Sequence, residues 1–361
     1  MDLCLFVILN FAVFALNMIK VAINGFGRIG RIVFRQALLD FADKVDIVAI
    51  NTSGSMDPEG WATLLRYDST YRTFPKEVKV SEPQRARETG SLLIDGKLYP
   101  LLAERDPVKL PWFVYQPDVV IESTGVFRKA VDAEKHLTVG AEKVIISAPP
   151  KGDGIPLFVM GINEGRYKGE RIISNGSCTT NCVAPIVKLV KDKFGIEQAA
   201  LTTIHAYTSD QELIDGSHKD LHRARAAAMN IIPTETGAAD SIVTLFPDLK
   251  GKFAGSSIRV PVACGSYSDL TFKITKKTTI DEVNSLFLKA ASGKMKNILE
   301  VITEPLVSGD IIGNPASAVV DLNMTTVVAD DFIQVGAWYD NEWAYARRLL
   351  EEAIYISKSK S

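Results

Sequence analysis

Three glycines at a fixed spacing, Gly25, Gly27 and Gly30, constrain the possible folds of this chain more than any other feature. They follow a β-rich apolar run at 21–24 and precede a pattern typical of an amphipathic helix, after which a second apolar run covers 46–51. Strand, glycine turn, helix and strand within about 30 residues form the βαβ unit of dinucleotide-binding folds. There the glycines let the backbone approach a pyrophosphate that rests on the helix N-terminus. The alternative is a close-packed turn that binds no ligand.

The pattern of the chain changes at about residue 200. Before it, strand-like runs at 119–125 and 144–147 end in small polar residues or glycine, as strands that point at a ligand crevice often do. After it, longer alternating strands are interleaved with a helical pattern at 280–291 and followed by a final helix at 345–353. The predicted strands of this second half are 200–204, 256–262, 268–274 and 333–338.

We therefore predict an α/β protein with a Rossmann-like dinucleotide-binding domain and an α+β catalytic domain that holds a mixed, largely antiparallel sheet. A chain of 361 residues is long enough for two such domains. The predicted divisions are an apolar extension at 1–17, a dinucleotide-binding domain at 18–177 that includes a C-terminal helix at 341–361, and a catalytic domain at 178–340.

Composition excludes several classes of function. Apolar residues at 47% and charged residues at 23% describe a globular protein with a full core. A formal net charge of −2 argues against a broad nucleic-acid footprint. The four cysteines show no disulfide framework, which suits a reducing compartment. We therefore expect a cytoplasmic protein that needs neither nucleic acid nor metal.

Residues 1–17 are nearly all apolar. The segment lacks the basic start and small-residue cleavage site of a secretory signal, and it is short for a membrane span of about 20 residues. Met18 directly precedes the first predicted strand, so we expect translation to begin there and expect no membrane association of 1–17. The alternative is that the segment associates with a membrane.

Cys178 and His205 are the candidate catalytic pair. Cys178 precedes an apolar helical pattern, so its thiol is expected at a helix start, where free N–H groups favour an anion. A nearby imidazole also lowers the pKa of a thiol and makes it a nucleophile. The alternative is a buried structural cysteine, and Cys182, one helical turn on, fits that description better.

Polar groups downstream of the histidine could bind phosphate. Arginine, hydroxyl and backbone N–H groups together match the needs of a phosphate oxyanion. Each arginine taken alone could instead form a solvated surface ion pair. The candidates are Thr208, Asp210, Arg223, Arg225, Thr236, Gly237 and Arg259.

Seven stretches of the chain together match one known enzyme family. They are Asn24-Gly25-Phe26-Gly27-Arg28-Ile29-Gly30-Arg31, Glu122-Ser123-Thr124-Gly125, Val144-Ile145-Ile146-Ser147-Ala148-Pro149, Ser177-Cys178-Thr179-Thr180-Asn181-Cys182, His218-Lys219-Asp220-Leu221, 223–228 and Trp338-Tyr339-Asp340-Asn341-Glu342. Through them, residues 18–356 resemble phosphorylating glyceraldehyde-3-phosphate dehydrogenases, and the resemblance spans both predicted domains.

The resemblance implies a mechanism and two phosphate sites. Cys178 would attack the aldehyde of glyceraldehyde 3-phosphate, and His205 would act as general base; hydride transfer to a nicotinamide would leave a thioester that inorganic phosphate releases. The family is homotetrameric, with a loop near 207–230 that reaches a neighbour's cofactor. The substrate phosphate would be held by Thr208, Asp210 and Arg259, and the attacking phosphate by Ser177, Thr236, Gly237 and Arg223, with Thr179 beside them.

The resemblance also implies cofactor contacts and leaves the choice of cofactor open. NAD-specific relatives carry an Asp after Asn51, where this chain has Thr52, and Ser217 resembles photosynthetic NADP-using members. The missing carboxylate favours NADP, alone or with NAD, with Arg105 near its 2′-phosphate; alternatively Thr52 bonds the ribose and NAD is preferred. The implied contacts are Gly25, Gly27, Arg28, Ile29, Gly30, Thr52, Arg105, Ser123, Ser217, Asn341 and Tyr345.

Three other functions are compatible with the residues. An erythrose-4-phosphate dehydrogenase shares fold, thiol and histidine, although the arginine and Thr-Gly set for inorganic phosphate favours the phosphorylating enzyme. The others are a catalytically idle nucleotide-binding redox sensor and a surface-anchored form that uses the segment 1–17.

Overall fold

The computed structural model describes residues 18–358, which form two compact units. The first comprises 18–156, 167–174 and 349–358, and the second comprises 157–166 and 175–348. The predictions made for 1–17 lie outside the described residues. No helix within 18–358 is both long enough and apolar enough to cross a membrane.

The compact units differ from the predicted domains in three segments, of which the shortest, 175–177, lies in the second unit. Residues 157–166 belong to the second unit because Leu157 and Val159 are part of its apolar core. Residues 341–348 also belong to it, and Arg348 donates to the carbonyl of Asn297 there. The domain boundaries themselves remain a prediction.

The first unit is built on an eight-stranded sheet. Its strands are β1 (Ile19–Asn24), β2 (Val45–Asn51), β3 (Lys79–Ser81), β4 (Glu88–Ile94), β5 (Lys97–Leu102), β6 (Val119–Glu122), β7 (Lys143–Ile146) and β8 (Ile172–Ser174). They lie in the order β3-β4-β5-β2-β1-β6-β7-β8, and every pair from β5 to β8 is parallel. The central strands read as continuous apolar runs because parallel sheets are buried on both faces.

Four helices accompany that sheet: α1 (Arg28–Leu39), α2 (Pro58–Arg66), α3 (Trp112–Tyr115) and α4 (Ala130–Thr138). Helix α1 begins directly after the glycine turn that follows β1, and it leads to β2, which pairs in parallel with β1. The predicted βαβ unit is therefore present.

The second unit holds a seven-stranded sheet in the order β10-β11-β9-β12-β15-β14-β13. Two of its six pairings, β9 with β11 and β13 with β14, are parallel, so the sheet is mixed and largely antiparallel, and the predicted fold class is confirmed. Its strands are β9 (Ile196–Ala206), β10 (Ile232–Thr234), β11 (Phe253–Val260), β12 (Ser266–Ile274), β13 (Leu299–Ile302), β14 (Ala318–Val328) and β15 (Phe332–Tyr339).

Helices cover one face of this second sheet. Strand β12 alternates buried and half-buried residues. Its buried Leu270 and Phe272 pack in one core with Val183 and Val187 of the helix that begins at Cys178. The helices are α5 (Cys178–Phe194), α6 (Ala238–Leu245), α7 (Ile280–Ser292) and α8 (Trp343–Lys358), and α8 continues into the first unit from residue 349. Single 3₁₀ turns occur at Pro107–Lys109, Glu164–Arg166, Pro247–Leu249 and Ser308–Ile311.

Candidate functional site

Cys178 is the first residue of helix α5, as the sequence pattern predicts. Ser177 caps the helix because its side-chain oxygen accepts a hydrogen bond from the Thr180 N–H at 3.1 Å. The preceding Gly176 has φ +69°, a left-handed conformation that favours glycine. Its carbonyl accepts a hydrogen bond from the Tyr345 hydroxyl at 2.8 Å. The turn that presents the thiol is thus held by a helix cap and by a buried tyrosine.

His205 contacts the thiol directly. Its Nε2 lies 3.4 Å from Cys178 Sγ, within hydrogen-bond distance for sulfur. Cys178 is half-buried, whereas Cys182 is fully buried in the core of the second unit. Of these two thiols, only that of Cys178 combines access with a neighbouring imidazole, which is the arrangement of an activated nucleophile.

Burial keeps both members of the pair uncharged when each is considered alone. Desolvation, and then the charge of Arg259, lower the pKa of His205 to about 3. Desolvation raises the pKa of the Cys178 thiol and outweighs the opposing effect of Arg259. This is opposite to the lowering expected from the sequence. A proton passed from Sγ to Nε2 instead creates both charges together, and at this separation they attract by about 5 kcal/mol for an effective dielectric constant of about 20.

Arg259 lies beside the histidine. Strands β9 and β11 are parallel, and their register places Arg259 directly opposite His205. Its Nη1 is 2.8 Å from His205 Nδ1, and it donates to the Ala206 carbonyl at 3.0 Å and to the Thr208 hydroxyl at 3.2 Å. Arg259 is half-buried, and its guanidinium can bind an anion through charge-assisted hydrogen bonds.

Asp210 joins the two predicted phosphate sets. Its carboxylate accepts hydrogen bonds from Thr208 on one oxygen and from Arg223 Nη1 on the other. Arg223 Nε also donates to Thr234 Oγ1 at 2.9 Å. A carboxylate only accepts hydrogen bonds, so Asp210 is suited to orienting the hydroxyl and the guanidinium rather than to touching a phosphate.

Thr236 and Gly237 precede helix α6. Gly237 is the N-cap and has no side-chain cap, while Thr236 Oγ1 accepts from the Ala238 N–H at 3.2 Å. Nothing lies within 4 Å of a Cβ built on Gly237, so its backbone is open to a ligand. Arg223 Nη2 reaches the Glu235 carbonyl at 3.4 Å, which brings this segment to the same cluster.

Tyr339 connects Thr179 to the sheet, a role that sequence reasoning missed. Its hydroxyl lies 2.9 Å from Thr179 Oγ1 and 2.8 Å from Thr203 Oγ1, and all three groups are buried. The ring of Tyr339 meets that of His205 edge to face at 6.0 Å. The Trp-Tyr-Asp-Asn-Glu motif contained this tyrosine, but only the folded structure shows that its ring packs against His205.

The side chain of Asn341 is held by hydrogen bonds at the start of strand β12. Its Oδ1 accepts hydrogen bonds from the Gly265 N–H at 3.1 Å and from the Ser266 hydroxyl at 3.0 Å. Gly265 has φ +87°, and a Cβ there would lie 2.2 Å from the Ser308 carbonyl oxygen, so glycine is required. The orientation of the Asn341 amide leaves its Nδ2 as the donor that a ligand would meet.

The first unit contains a cavity of about 470 Å³ at the glycine turn. A Cβ on Gly30 would lie 2.0 Å from the Gly25 carbonyl oxygen, whereas one on Gly27 would meet nothing within 4 Å. The turn is therefore tightly packed at Gly30, whereas space is open beside Gly27. The cavity is lined by Asn24, Gly25, Phe26, Gly27, Asn51, Thr52, Ser53, Trp61, Glu104, Arg105, Ser123, Thr124, Val126 and Phe127.

Several predicted cofactor contacts have structural partners of their own. The Ser123 hydroxyl lies 2.7 Å from the Gly25 carbonyl and steadies the turn. The Thr52 hydroxyl donates to the Leu102 carbonyl at 2.8 Å, so toward a ribose it can only accept. The guanidinium of Arg28 forms an ion pair with Asp68 at 2.5 Å. Any contact of Arg28 and Ile29 with a cofactor would therefore be through backbone N–H groups at the start of helix α1.

Arg105 and Ser217 are both exposed. Arg105 lines the cavity at the glycine turn, where its charge is available to an anion. Ser217 lies in the loop between β9 and β10 and is not among the residues that line the cavity. Arg105 is therefore part of the cavity at the glycine turn, whereas Ser217 belongs to the second unit.

Two family profiles match the chain. The NAD binding domain of glyceraldehyde 3-phosphate dehydrogenase matches residues 19–130, and the C-terminal domain of the same enzyme matches residues 177–341. The first range includes the glycine turn, and the second includes Cys178, His205 and Arg259.

Individual relatives match along nearly the whole chain. The chloroplastic glyceraldehyde-3-phosphate dehydrogenase A of Chlamydomonas reinhardtii is 48% identical over 341 residues, which cover 94% of this chain and 89% of the relative. Glyceraldehyde-3-phosphate dehydrogenase 2 of Bacillus subtilis is 48% identical over 341 residues, 94% of this chain and 97% of the relative. Glyceraldehyde-3-phosphate dehydrogenase 2 of Streptomyces avermitilis is 46% identical over 340 residues, with coverages of 94% and 98%. The chain belongs to the glyceraldehyde-3-phosphate dehydrogenase family.

Proposed function

We propose that this protein catalyses the reversible phosphorylating oxidation of glyceraldehyde 3-phosphate with NAD or NADP. The observation that carries the proposal is the contact of 3.4 Å between Cys178 Sγ and His205 Nε2 beside the Arg259 guanidinium. It supplies a nucleophile, a base and an anion-binding group in one place.

The thiol and the imidazole perform the covalent steps. His205 Nε2 takes the proton of Cys178, and Sγ attacks the aldehyde carbon to form a thiohemiacetal. The imidazolium then donates a hydrogen bond to the developing oxyanion, together with the Cys178 N–H at the start of helix α5. Transfer of a hydride from this carbon to the dinucleotide, with loss of the hydroxyl proton to His205, would leave a thioester. Attack by phosphate then breaks the C–S bond, releases an acyl phosphate and restores the thiolate.

Two phosphates are held by adjoining groups. Arg259 and the Thr208 hydroxyl bind the substrate phosphate, and Asp210 orients that hydroxyl. Inorganic phosphate is bound by Arg223 with Ser177, Thr236 and the Gly237 backbone. Because Asp210 bridges Thr208 and Arg223, occupancy of one phosphate site changes the hydrogen bonds that prepare the other.

The residues of the first unit fit a dinucleotide. The open face of Gly27 and the uncapped start of helix α1 suit a pyrophosphate, and the cavity beyond them suits an adenosine. When bound, the nicotinamide supplies the hydride acceptor. Asn341 would hold the carboxamide of the nicotinamide through Nδ2, and the Tyr345 hydroxyl, bonded to the Gly176 carbonyl, steadies the nucleophile turn.

NADP use is favoured over strict NAD specificity. No carboxylate directly follows Asn51, so the repulsion of a 2′-phosphate from that position is absent, and the exposed Arg105 lines the cavity. The Thr52 hydroxyl donates to the Leu102 carbonyl and already accepts from the Gly54 N–H at 3.3 Å, so it could accept from at most one ribose hydroxyl, whereas a carboxylate accepts from both.

The functional protein is proposed to be a homotetramer. The segment 207–231 exposes large apolar side chains that monomers seldom leave in water. A neighbouring copy would cover them and would give Ser217 a cofactor to contact. The exposed fractions are 78% for Leu213, 75% for Ile214, 80% for Leu221, 82% for Met229 and 73% for Ile231.

One spectrophotometric assay tests the activity. Purified protein is supplied with glyceraldehyde 3-phosphate and either NAD or NADP, with and without inorganic phosphate, and reduced cofactor is measured at 340 nm. We expect sustained turnover that requires phosphate and forms an acyl phosphate. Turnover that is independent of phosphate, or none with either cofactor, refutes the proposal. Cys178→Ser is the control for background oxidation.

A further inference from the structure

A buried hydrogen-bonded chain lies beneath the dinucleotide cavity, and the chemistry proposed above does not use it. Asn24, Asn51 and Glu122 are the last residues of strands β1, β2 and β6, and the strand register pairs Asn24 with both of the others. His136 of helix α4 contacts the Glu122 carboxylate. All four side chains are at most 4% exposed.

The carboxylate of Glu122 is the centre of this chain. Its Oε1 accepts hydrogen bonds from the Thr124 N–H at 2.9 Å and from the Thr124 hydroxyl. Its Oε2 accepts from Asn24 Nδ2 and lies 3.1 Å from His136 Nε2. A hydrogen bond donated by His136 would give Oε2 a second donor, so that each carboxylate oxygen accepts two bonds.

The direction of every bond is determined at the two ends. At one end the indole N–H of Trp112, which can only donate, lies 3.0 Å from His136 Nδ1. Nδ1 must accept, so the hydrogen of the imidazole is on Nε2 and points to Glu122. At the other end, Asn51 Nδ2 donates to the Glu104 carbonyl at 2.7 Å, and Asn51 Oδ1 accepts from the Glu104 N–H at 2.9 Å.

The Asn24 amide is locked between these ends. Its Nδ2 faces a carboxylate, which only accepts, and its Oδ1 receives a hydrogen bond from Asn51 Nδ2 at 2.7 Å. Asn24 directly precedes Gly25, whose N–H bonds the Asn51 carbonyl. Asn24, Asn51, Glu104 and Thr124 all line the cavity. One chain of bonds thus connects a buried histidine to four segments that surround the dinucleotide site.

We infer that His136 is a positioning residue for dinucleotide binding: by donating Nε2–H to Glu122, it fixes the Asn24 amide and with it the turn at Gly25–Gly27. It acts through Glu122 and touches no ligand. The inference rests on the dinucleotide-binding part of the proposed function and is independent of the aldehyde chemistry.

Two substitutions of His136 separate positioning from packing. The amide nitrogen of Gln reaches about as far as Nε2, so His136→Gln keeps a donor to Glu122. The amide of Asn reaches only as far as Nδ1, so His136→Asn keeps an acceptor for Trp112 and loses the donor. Both remove the ring, and they therefore form a matched pair. Trp112→Phe is a third variant, which frees Nδ1 to carry the hydrogen and so releases Nε2 from its role as donor.

Direct binding is measured by calorimetric titration of each variant with NAD and with NADP, together with its melting temperature. We expect Kd for the preferred dinucleotide to rise about tenfold in His136→Asn, by less than about threefold in His136→Gln, and by at least threefold in Trp112→Phe. The kcat at saturating dinucleotide stays within twofold of wild type in all three.

Equal melting temperatures and wild-type Kd values in the two His136 variants would overturn the inference, since they would make His136 only a packed core residue. If His136→Asn does not fold, Trp112→Phe decides: an unchanged Kd refutes the inference and a threefold rise supports it. A wild-type protein that binds neither dinucleotide would refute both this inference and the proposed function. Normal binding without turnover would refute only the proposed function.

Discussion

Arg259 Nη1 lies 2.8 Å from His205 Nδ1, and this contact determines which ring nitrogen can act as a base. A guanidinium only donates, so the contact is a hydrogen bond when Nδ1 lacks its hydrogen, and Nε2 then carries one toward Cys178. The Ala206 carbonyl, 2.7 Å from Nδ1, favours the other tautomer, in which Nε2 is free to take the thiol proton. The proposed mechanism requires the second tautomer. An anion that draws the guanidinium away from the ring favours it, because Nδ1–H then has only the carbonyl as partner.

The lowered pKa of His205 predicts a specific loss of stability in acid. The unfolded histidine gains a proton near pH 6.5, whereas the folded one does so near pH 3. Between these values the unfolded state binds more protons, so stability falls as the pH falls. His205→Asn removes this effect. Between pH 6.5 and 4.5 we expect the wild type to lose about 2–3 kcal/mol more free energy of unfolding than the variant.

Urea denaturation at a fixed protein concentration measures that difference. His136, His218 and His222 are present in both proteins, so their contributions cancel. Parallel losses of stability in wild type and His205→Asn would show that the folded histidine titrates normally.

Loss of the base should reduce turnover without affecting dinucleotide binding. In His205→Asn the thiol has no proton acceptor, and the oxyanion loses a donor. A positioned general base contributes about 10²–10⁴-fold, so we expect kcat to fall by that factor while Kd for the dinucleotide changes less than twofold. Steady-state kinetics and calorimetry check the two quantities. A variant with wild-type turnover would remove His205 from the mechanism.

Local patterns in the sequence were sufficient for the fold and for the position of the thiol. The turn at 25–30 depends on glycines, because side chains at Gly25 and Gly30 would clash with the neighbouring backbone. The helix cap near Cys178 is a hydrogen bond between Ser177 and Thr180, which are three residues apart. Both depend on a few residues in sequence. They can therefore be predicted without knowing how distant strands pair.

Contacts between distant segments could not be predicted in this way. Arg259 meets His205 only because β9 and β11 pair in parallel with one register, across 54 residues. Tyr345 bonds Gly176 across 169 residues. The raised pKa of Cys178 was missed for the same reason, since desolvation depends on what packs around the sulfur. The roles of the phosphate and cofactor residues stay predictions until they are tested.

Alkylation should single out Cys178. Its thiol is half-buried, whereas Cys182 is inaccessible and Cys264, 3% exposed, donates to the Asp340 carboxylate. Burial raises the pKa of both Cys178 and Cys182, so labelling by iodoacetamide should accelerate as the pH rises from 7 to 9. We expect one equivalent at Cys178 to abolish activity. Peptide mapping by mass spectrometry identifies the modified residue and separates it from Cys4.

Prior binding of glyceraldehyde 3-phosphate or inorganic phosphate should slow this labelling, because the anion occupies the groups beside the sulfur. Cys178→Ser should take up no inactivating equivalent. Inactivation that maps to Cys182 or Cys264 would contradict the assignment of the nucleophile.

The charge of Arg105 should distinguish NADP from NAD. The side chain is exposed and lines the dinucleotide cavity, and a 2′-phosphate near it would gain a charge-assisted hydrogen bond of about 1.5–3 kcal/mol. Arg105→Gln should therefore lower kcat/KM for NADP about 10- to 100-fold and change that for NAD less than twofold. Lys109→Gln is the matched control, because it removes the same charge from an exposed residue outside this cavity. Equal effects of Arg105→Gln on both cofactors, or equal effects of the two variants on NADP, would show that Arg105 does not read the 2′-phosphate, and cofactor choice would then depend on the Thr52–Ser55 loop.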